Sequence, residues 1–157
     1  MGEETGLRQV MERYGDMVYR LALAQTHSSH DADDVFQEVF LRYLRAAPAF
    51  REEEHRKAWL LRVTVNCCKK LHGSFWRRHT VALSETLPAQ NPEGGELLGL
   101  LEGLPQKYRA VLHLYYYEGY ATDEIAAILG RSPGTVRSQL SRGRALLRDA
   151  WKGAEEL

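Results

Sequence analysis

The sequence predicts an all-α protein of two small helical domains joined by a flexible linker, and three observations carry that prediction. Apolar residues recur with the ~3.6-residue period of an amphipathic helix along most of the 157 residues, while strand patterns are nearly absent. Between residues 73 and 95 the period fails, and "SETLPAQNPEGGE" gathers Ser, Pro, Asn and Gly as linkers do. Near the end, Gly130 separates two periodic segments, each opened by a residue able to cap a helix. The expected organisation is a first domain over 1–74, a linker over 75–95 and a second domain over 96–157.

The first helix covers about 5–26. A second opens at "DADD", where Asp31 is placed to cap the N–H of Asp34, and its stripe of Val35, Phe36, Val39, Phe40, Tyr43 and Leu44 faces inward until the helix ends before Pro48. A loop holding "FREEE" leads to a third helix over about 53–72, whose Ala58, Leu60, Leu61, Val63, Val65, Cys67 and Cys68 mark it as central. In the second domain a helix follows Pro105 and holds "YRAVLHLYYYEGY"; Tyr115, Tyr116 and Tyr117 cannot all share one side, so one or two of them belong to the core. Thr122 is placed to cap the next helix, with Asp123 and Glu124 favourable in its first turn and Ile125, Ala126, Ile128 and Leu129 as its apolar face. Gly130 stops it. Ser132 caps the last helix, Pro133 suits its first position, and Val136, Leu140, Gly143 and Leu147 point to the core.

Several function classes fall away. No apolar run approaches the ~18 residues that cross a bilayer, and "MGEETGLRQV" lacks a basic start followed by an apolar block, so a cytoplasmic location is expected. Cys67 and Cys68 are neighbours within a helix and read as structural thiols. His27 and His30 beside Asp31, Asp33 and Asp34 form the one grouping like a metal ligand set, and the same residues suit a helix-helix turn with capping polar groups. The expectation is no metal, no cofactor, no small-molecule substrate and no catalytic activity.

Charge points toward nucleic acid. The chain carries 21 basic and 21 acidic residues, but they are segregated. After Glu124 the next acid is Asp149, and Arg131, Arg137, Arg142, Arg144 and Arg148 fall between them. The outward arc of the last helix presents Gly134, Ser138, Ser141 and Arg142, with Thr135 and Arg137 at its edges and Ser132 at its cap. These hydroxyls and guanidiniums can meet base edges and phosphates, as a helix-turn-helix requires. A second acid-free stretch, 55–84, holds Arg56, Lys57, Arg62, Lys69, Lys70, Arg77 and Arg78. Within it Trp59, Arg62, Asn66 and Lys70 align along one helix stripe, a combination on which unstacked bases and phosphates of a single strand can rest, although Trp59 would also serve as a core residue. The acids gather elsewhere: Asp31, Asp33, Asp34 and Glu38 lie together with no Lys or Arg between Arg20 and Arg42, and Asp34, Gln37, Glu38 and Leu41 share the face opposite the apolar stripe. A leucine exposed amid carboxylates suits a protein partner, while an acidic first turn is also what the helix dipole favours.

At these residues the sequence resembles the extracytoplasmic-function (ECF) group of sigma-70 family sigma factors, the promoter-recognition subunits of bacterial RNA polymerase. "DADDVFQEVFLRYLR" is similar to their polymerase-binding helix, "HRKAWLLRVTVNCCKKL" to the adjoining minus-ten helix, and "LPQKYRAVLHLYYYEGYATDEIAAILGRSPGTVRSQLSRGRALLRDAW" to region four. The resemblance spans nearly the whole chain, with the linker its least specific part. It implies core RNA polymerase, promoter DNA as duplex and single strand, and an anti-sigma factor as partners. Asp34, Gln37, Glu38 and Leu41 would dock on polymerase; Trp59, Arg62, Asn66 and Lys70, with the loop before them, would open and hold the minus-ten element. Ser132, Thr135, Arg137, Ser138, Ser141 and Arg142 would read the minus-thirty-five element. Gln139 departs from the basic residue, and Gly143 from the alanine, that such factors often carry. The rival reading is a stand-alone dimeric helix-turn-helix regulator.

Overall fold

The computed structural model describes residues 2–46, 48–78 and 103–156, and every regular element among them is helical. The chain divides into two compact units, Met1–Ala89 and Gln90–Leu157. Most of the expected linker, and the expected start of the second domain at 96, lie outside the described residues.

The first unit is built of α1 (Gly2–Thr26), α2 (Ser29–Ala46) and α3 (Glu53–Arg78). Val10, Tyr14, Met17, Val18 and Leu21 form the buried arc of α1, Ala32, Val35, Val39 and Phe40 that of α2, and Leu60, Leu61, Val65, Cys67 and Cys68 that of α3. Each set recurs at three- and four-residue steps, so each helix turns one stripe into a shared core. Thr64, also fully buried, satisfies its hydroxyl by donating to the Leu60 carbonyl at 2.6 Å. Neither cysteine forms a disulfide, and both are buried.

Three details differ from the sequence expectation. His27, at φ +56°, turns the chain sharply after α1, so α2 begins earlier and Ser28, not Asp31, caps it: the Asp31 N–H donates to Ser28 Oγ at 3.1 Å. Leu44 is 46% exposed rather than inward. It lies five residues beyond fully buried Val39, a rotation of about 140° that carries it off the inner arc. Finally, α3 does not end near residue 72 but runs through Gly73 to Arg78, because one glycine costs a helix only ~1 kcal/mol and the next proline is Pro88.

In the second unit, α4 (Gln106–Leu112) continues into a π-helical turn over His113–Tyr117, followed by α5 (Thr122–Leu129) and α6 (Pro133–Glu156). The wide turn directs His113 and Leu114 inward, and the chain reverses at Gly119, φ +76°, to bring Tyr120 into the core. Tyr120 therefore occupies the place expected of the triplet: Tyr115 is half-buried, and Tyr116 and Tyr117 are exposed. His113 stacks on Tyr117 with ring centroids 5.0 Å apart and sits 3.7 Å from the buried Glu118 carboxylate.

The N-cap residue of α5 is Ala121 rather than Thr122. Its N–H donates to Glu124 Oε1 at 2.8 Å, so a first-turn carboxylate satisfies the cap position. Ile125, Ala126 and Ile128 are buried, and Gly130 at φ +69° closes the helix in the left-handed region that glycine adopts without a Cβ penalty. Ser132 then caps α6, accepting the Thr135 N–H at 3.1 Å. Val136, Leu140 and Gly143 are buried and Leu147 half-buried, as their spacing requires.

Candidate nucleic-acid interface

Burial of the Val136, Leu140 and Gly143 arc leaves the other side of α6 open. Gly134, Thr135, Arg137, Ser138, Ser141 and Arg142 are all exposed there, and Ser132 is exposed at the cap. Ser132 and Thr135 engage each other, Oγ to Oγ1 at 2.8 Å, so Ser132 holds the helix start together while the later positions remain open to a ligand. Arg137 reaches toward Asp123 of α5 at 4.0 Å, with both side chains largely in solvent, a separation that water screens strongly.

Two other arginines of the acid-free run, given no site role from the sequence, have partners in the structure. Arg144 lies against Tyr115 and Tyr116, its carbon Cζ 5.2 Å and 5.6 Å from the two ring centroids, and its Nε donates to Tyr116 Oη at 2.6 Å. Arg131, in the turn between α5 and α6, is half-buried and donates to Gln139 Oε1 at 2.8 Å. The acid-free run marked these arginines as basic, but their partners on other turns and helices follow only from the fold.

In the first unit, Arg62, Asn66 and Lys70 are exposed along α3, and Trp59 is half-buried at the head of the same stripe. Trp59 is neither in the core nor free of neighbours: its ring meets Tyr43 edge-on at 5.8 Å and Phe50 at 6.2 Å. Arg56 closes this aromatic group, lying 5.4 Å from the Phe50 ring centroid and donating from Nε to Tyr43 Oη at 3.1 Å. Glu53 pairs with Arg56 and accepts the Tyr14 hydroxyl at 2.6 Å, which fastens the start of α3 to α1. Burial, then the bond to Glu53, pushes the Tyr14 phenol up to about 12, while the bonds from Tyr14 and Arg56 hold the Glu53 carboxyl below its usual range. Two of the three acids of "FREEE" are thus explained in part: Glu53 serves this network, and Glu52 faces His55 at 4.0 Å.

On α2, Asp34, Gln37 and Leu41 are exposed, with Leu41 at 44%, and Leu44 joins them on the same side. Glu38 is half-buried because Arg42 bonds it at 2.8 Å; that bond, aided by the charges of Arg42 and Lys70, lowers its carboxyl pKa against the opposing effect of burial. Asp34, Glu38, Arg42, Cys67 and Lys70 line one cleft of about 360 Å³ between α2 and α3. The acidic face and the foot of the basic stripe are therefore neighbours, a juxtaposition invisible in sequence because it joins residues on two helices. His27 is half-buried in the interhelical turn and His30 lies 3.8 Å from Asp34; among the described residues no three His, Cys, Asp or Glu side chains group as a metal site.

The family profile for sigma-70 region 2 matches residues 10–80, and that for sigma-70 region 4 matches residues 94–147. The ECF RNA polymerase sigma factor SigM of Mycobacterium tuberculosis is 30% identical over 93% of this chain and 77% of its own length. The chain belongs to the sigma-70 family, among its ECF sigma factors. The ECF RNA polymerase sigma factor SigE of Mycolicibacterium smegmatis is 34% identical over 90% of this chain, which spans 60% of that relative's length. A solved structure of the sigma factor RpoE with the anti-sigma factor NepR from Bartonella quintana shares the fold, with a TM-score of 0.77 at 20% identity, covering 92% of this chain and 96% of that one. Because similarity to ECF sigma factors runs through both units, a stand-alone helix-turn-helix regulator is not favoured.

Proposed function

We propose that this sigma factor brings core RNA polymerase to its promoters, opens the minus-ten element with its first domain and reads the minus-thirty-five element with its second. Asp34, Gln37, Glu38 and Leu41 dock on the polymerase, with Leu44 extending the same face. Arg62, Asn66 and Lys70 follow the phosphates of the opened strand beside the Trp59, Phe50 and Tyr43 rings, where a base can stack. Thr135, Arg137, Ser138, Ser141 and Arg142 enter the major groove, and Ser132 secures the helix that carries them. The single observation behind the DNA assignment is the division of α6, with Val136, Leu140 and Gly143 buried on one side and this polar and cationic set exposed on the other.

The protein works as an adaptor without catalytic activity, cofactor or metal of its own, in the cytosol where the transcription machinery acts. Among the described residues no helix is long and apolar enough to cross a membrane. An anti-sigma factor is its regulatory partner, in keeping with the NepR complex of the RpoE relative in fold. The test is in vitro transcription with core polymerase and DNA upstream of the protein's own gene, with and without the chain. Specific initiation that requires the chain supports the proposal; equal initiation in its absence rejects it.

A further inference from the structure

We infer that Arg131 takes a backbone phosphate of the bound duplex and that Gln139 is the residue positioning it, an inference that rests on the sigma-factor reading of this domain. Arg131 sits in the turn between α5 and α6, half-buried, where its Nη1 donates to Gln139 Oε1 at 2.8 Å and lies 3.5 Å from the Lys107 carbonyl of α4. Both partners are neutral oxygens. Among the described residues no carboxylate lies within ion-pair distance of Arg131. Burial disfavours its charged form with no neighbouring charge to offset the effect.

A guanidinium does not give up its proton under these conditions, so a half-buried one lacking a counter-anion is a cost carried by the fold. The bound duplex can remove that cost. Arg131 adjoins Ser132 and Thr135 at the start of α6, the end of a recognition helix that enters the groove between two phosphate chains. Two of its five N–H donors at most face Gln139 and Lys107, leaving the planar fork free to meet a phosphate. Gln139 suits the positioning role because its amide oxygen orients the cation without cancelling its charge. Gln139 is itself half-buried at the edge of the exposed arc of α6, beside Arg131.

The test uses core RNA polymerase carrying the full-length chain. A binding duplex is selected from a random pool by the unaltered holoenzyme, and affinity for that duplex and for one with its upstream element scrambled is followed between about 50 and 200 mM salt. R131A is expected to bind both duplexes about tenfold more weakly near 100 mM. The slope of log affinity against log salt should flatten by about 0.9, the signature of one lost phosphate contact. Q139E keeps the arginine but supplies an internal carboxylate in place of the amide, and is expected to lose affinity and slope in the same direction; R131K should restore most of the slope. A folded R131A with unchanged slope overturns the inference, as does a Q139E that binds like the unaltered chain. Should R131A fail to fold, Q139E decides alone. Failure of the unaltered chain to confer selective duplex binding on core polymerase would appear before any variant is made, and would reject the sigma-factor reading and this inference together.

Discussion

Gly143 packs α6 tightly against α4. A Cβ built there meets Leu112 Cδ1 at 3.2 Å, Leu112 Cγ at 3.3 Å and Tyr108 Cβ at 3.4 Å, and both neighbours are buried. Replacing a mid-helix glycine by alanine gains ~1 kcal/mol of helix propensity, while crowding a packed interface costs ~1–3 kcal/mol. Gly143→Ala is therefore expected to lower stability by ~1 kcal/mol, read as a lower midpoint in urea; a rise in the midpoint would show that Leu112 yields freely. Glu53 offers a second residue-level test. Its folded pKa lies below the unfolded value of ~4.3, so the ionised carboxylate contributes stability that is present above that pH and is lost as pH falls through the folded value. Thermal melting between about pH 6 and pH 3 should show a shallower acid limb for Glu53→Gln than for the unaltered chain, and parallel limbs would refute the assignment.

Among the elements, α2 shows both the reach and the limit of the sequence. Its inner arc was legible because burial of Val35, Val39 and Phe40 needs only local periodicity. The same holds for Gly130 and for the Val136, Leu140 and Gly143 arc, so the helix-turn-helix could be read almost whole. Leu44 could not, because its hydrophobicity argued for the core while its rotation placed it outside. The π-helical turn, the Arg131–Gln139 bond and the cleft shared by Glu38 and Lys70 were equally hidden, since each depends on geometry or on a partner another element supplies. The outcome for α2 is that Leu44 adds to the exposed apolar surface of the face proposed to dock on polymerase. Leu41→Glu and Leu44→Glu each remove an exposed apolar side chain at no cost to the core, and each is expected to weaken core polymerase binding about tenfold with the melting temperature unchanged. Unchanged affinity in both would return these leucines to ordinary surface positions.

For the molecule as a whole, zero net charge conceals a division: the stretches 55–84 and 125–148 hold basic residues and no acid, while Asp31, Asp33, Asp34 and Glu38 group on α2 and further acids fall in the expected linker. Sequence-independent DNA affinity depends on phosphate neutralisation, so on the proposed reading a balanced chain is expected to bind DNA weakly until polymerase joins it. The two units then contribute different steps, and substitutions in each should separate them. Arg137 is exposed on α6 with only a distant, screened carboxylate nearby, so Arg137→Ala is expected to cost ~1–3 kcal/mol of discrimination between the selected upstream element and a scrambled one. Trp59 lies in the other unit, against Tyr43 and Phe50, and Trp59→Ala should leave that discrimination intact. It should instead slow the appearance of permanganate-reactive thymines at the minus-ten element, because an opened base loses its stacking surface, worth ~1–3 kcal/mol. Measuring both readouts on both variants gives a crossed design. If Trp59→Ala and Arg137→Ala depress binding and opening in equal proportion, the two units do not divide the work in this way; if each variant moves only its own readout, the separation of duties follows from which faces the two helical units leave exposed.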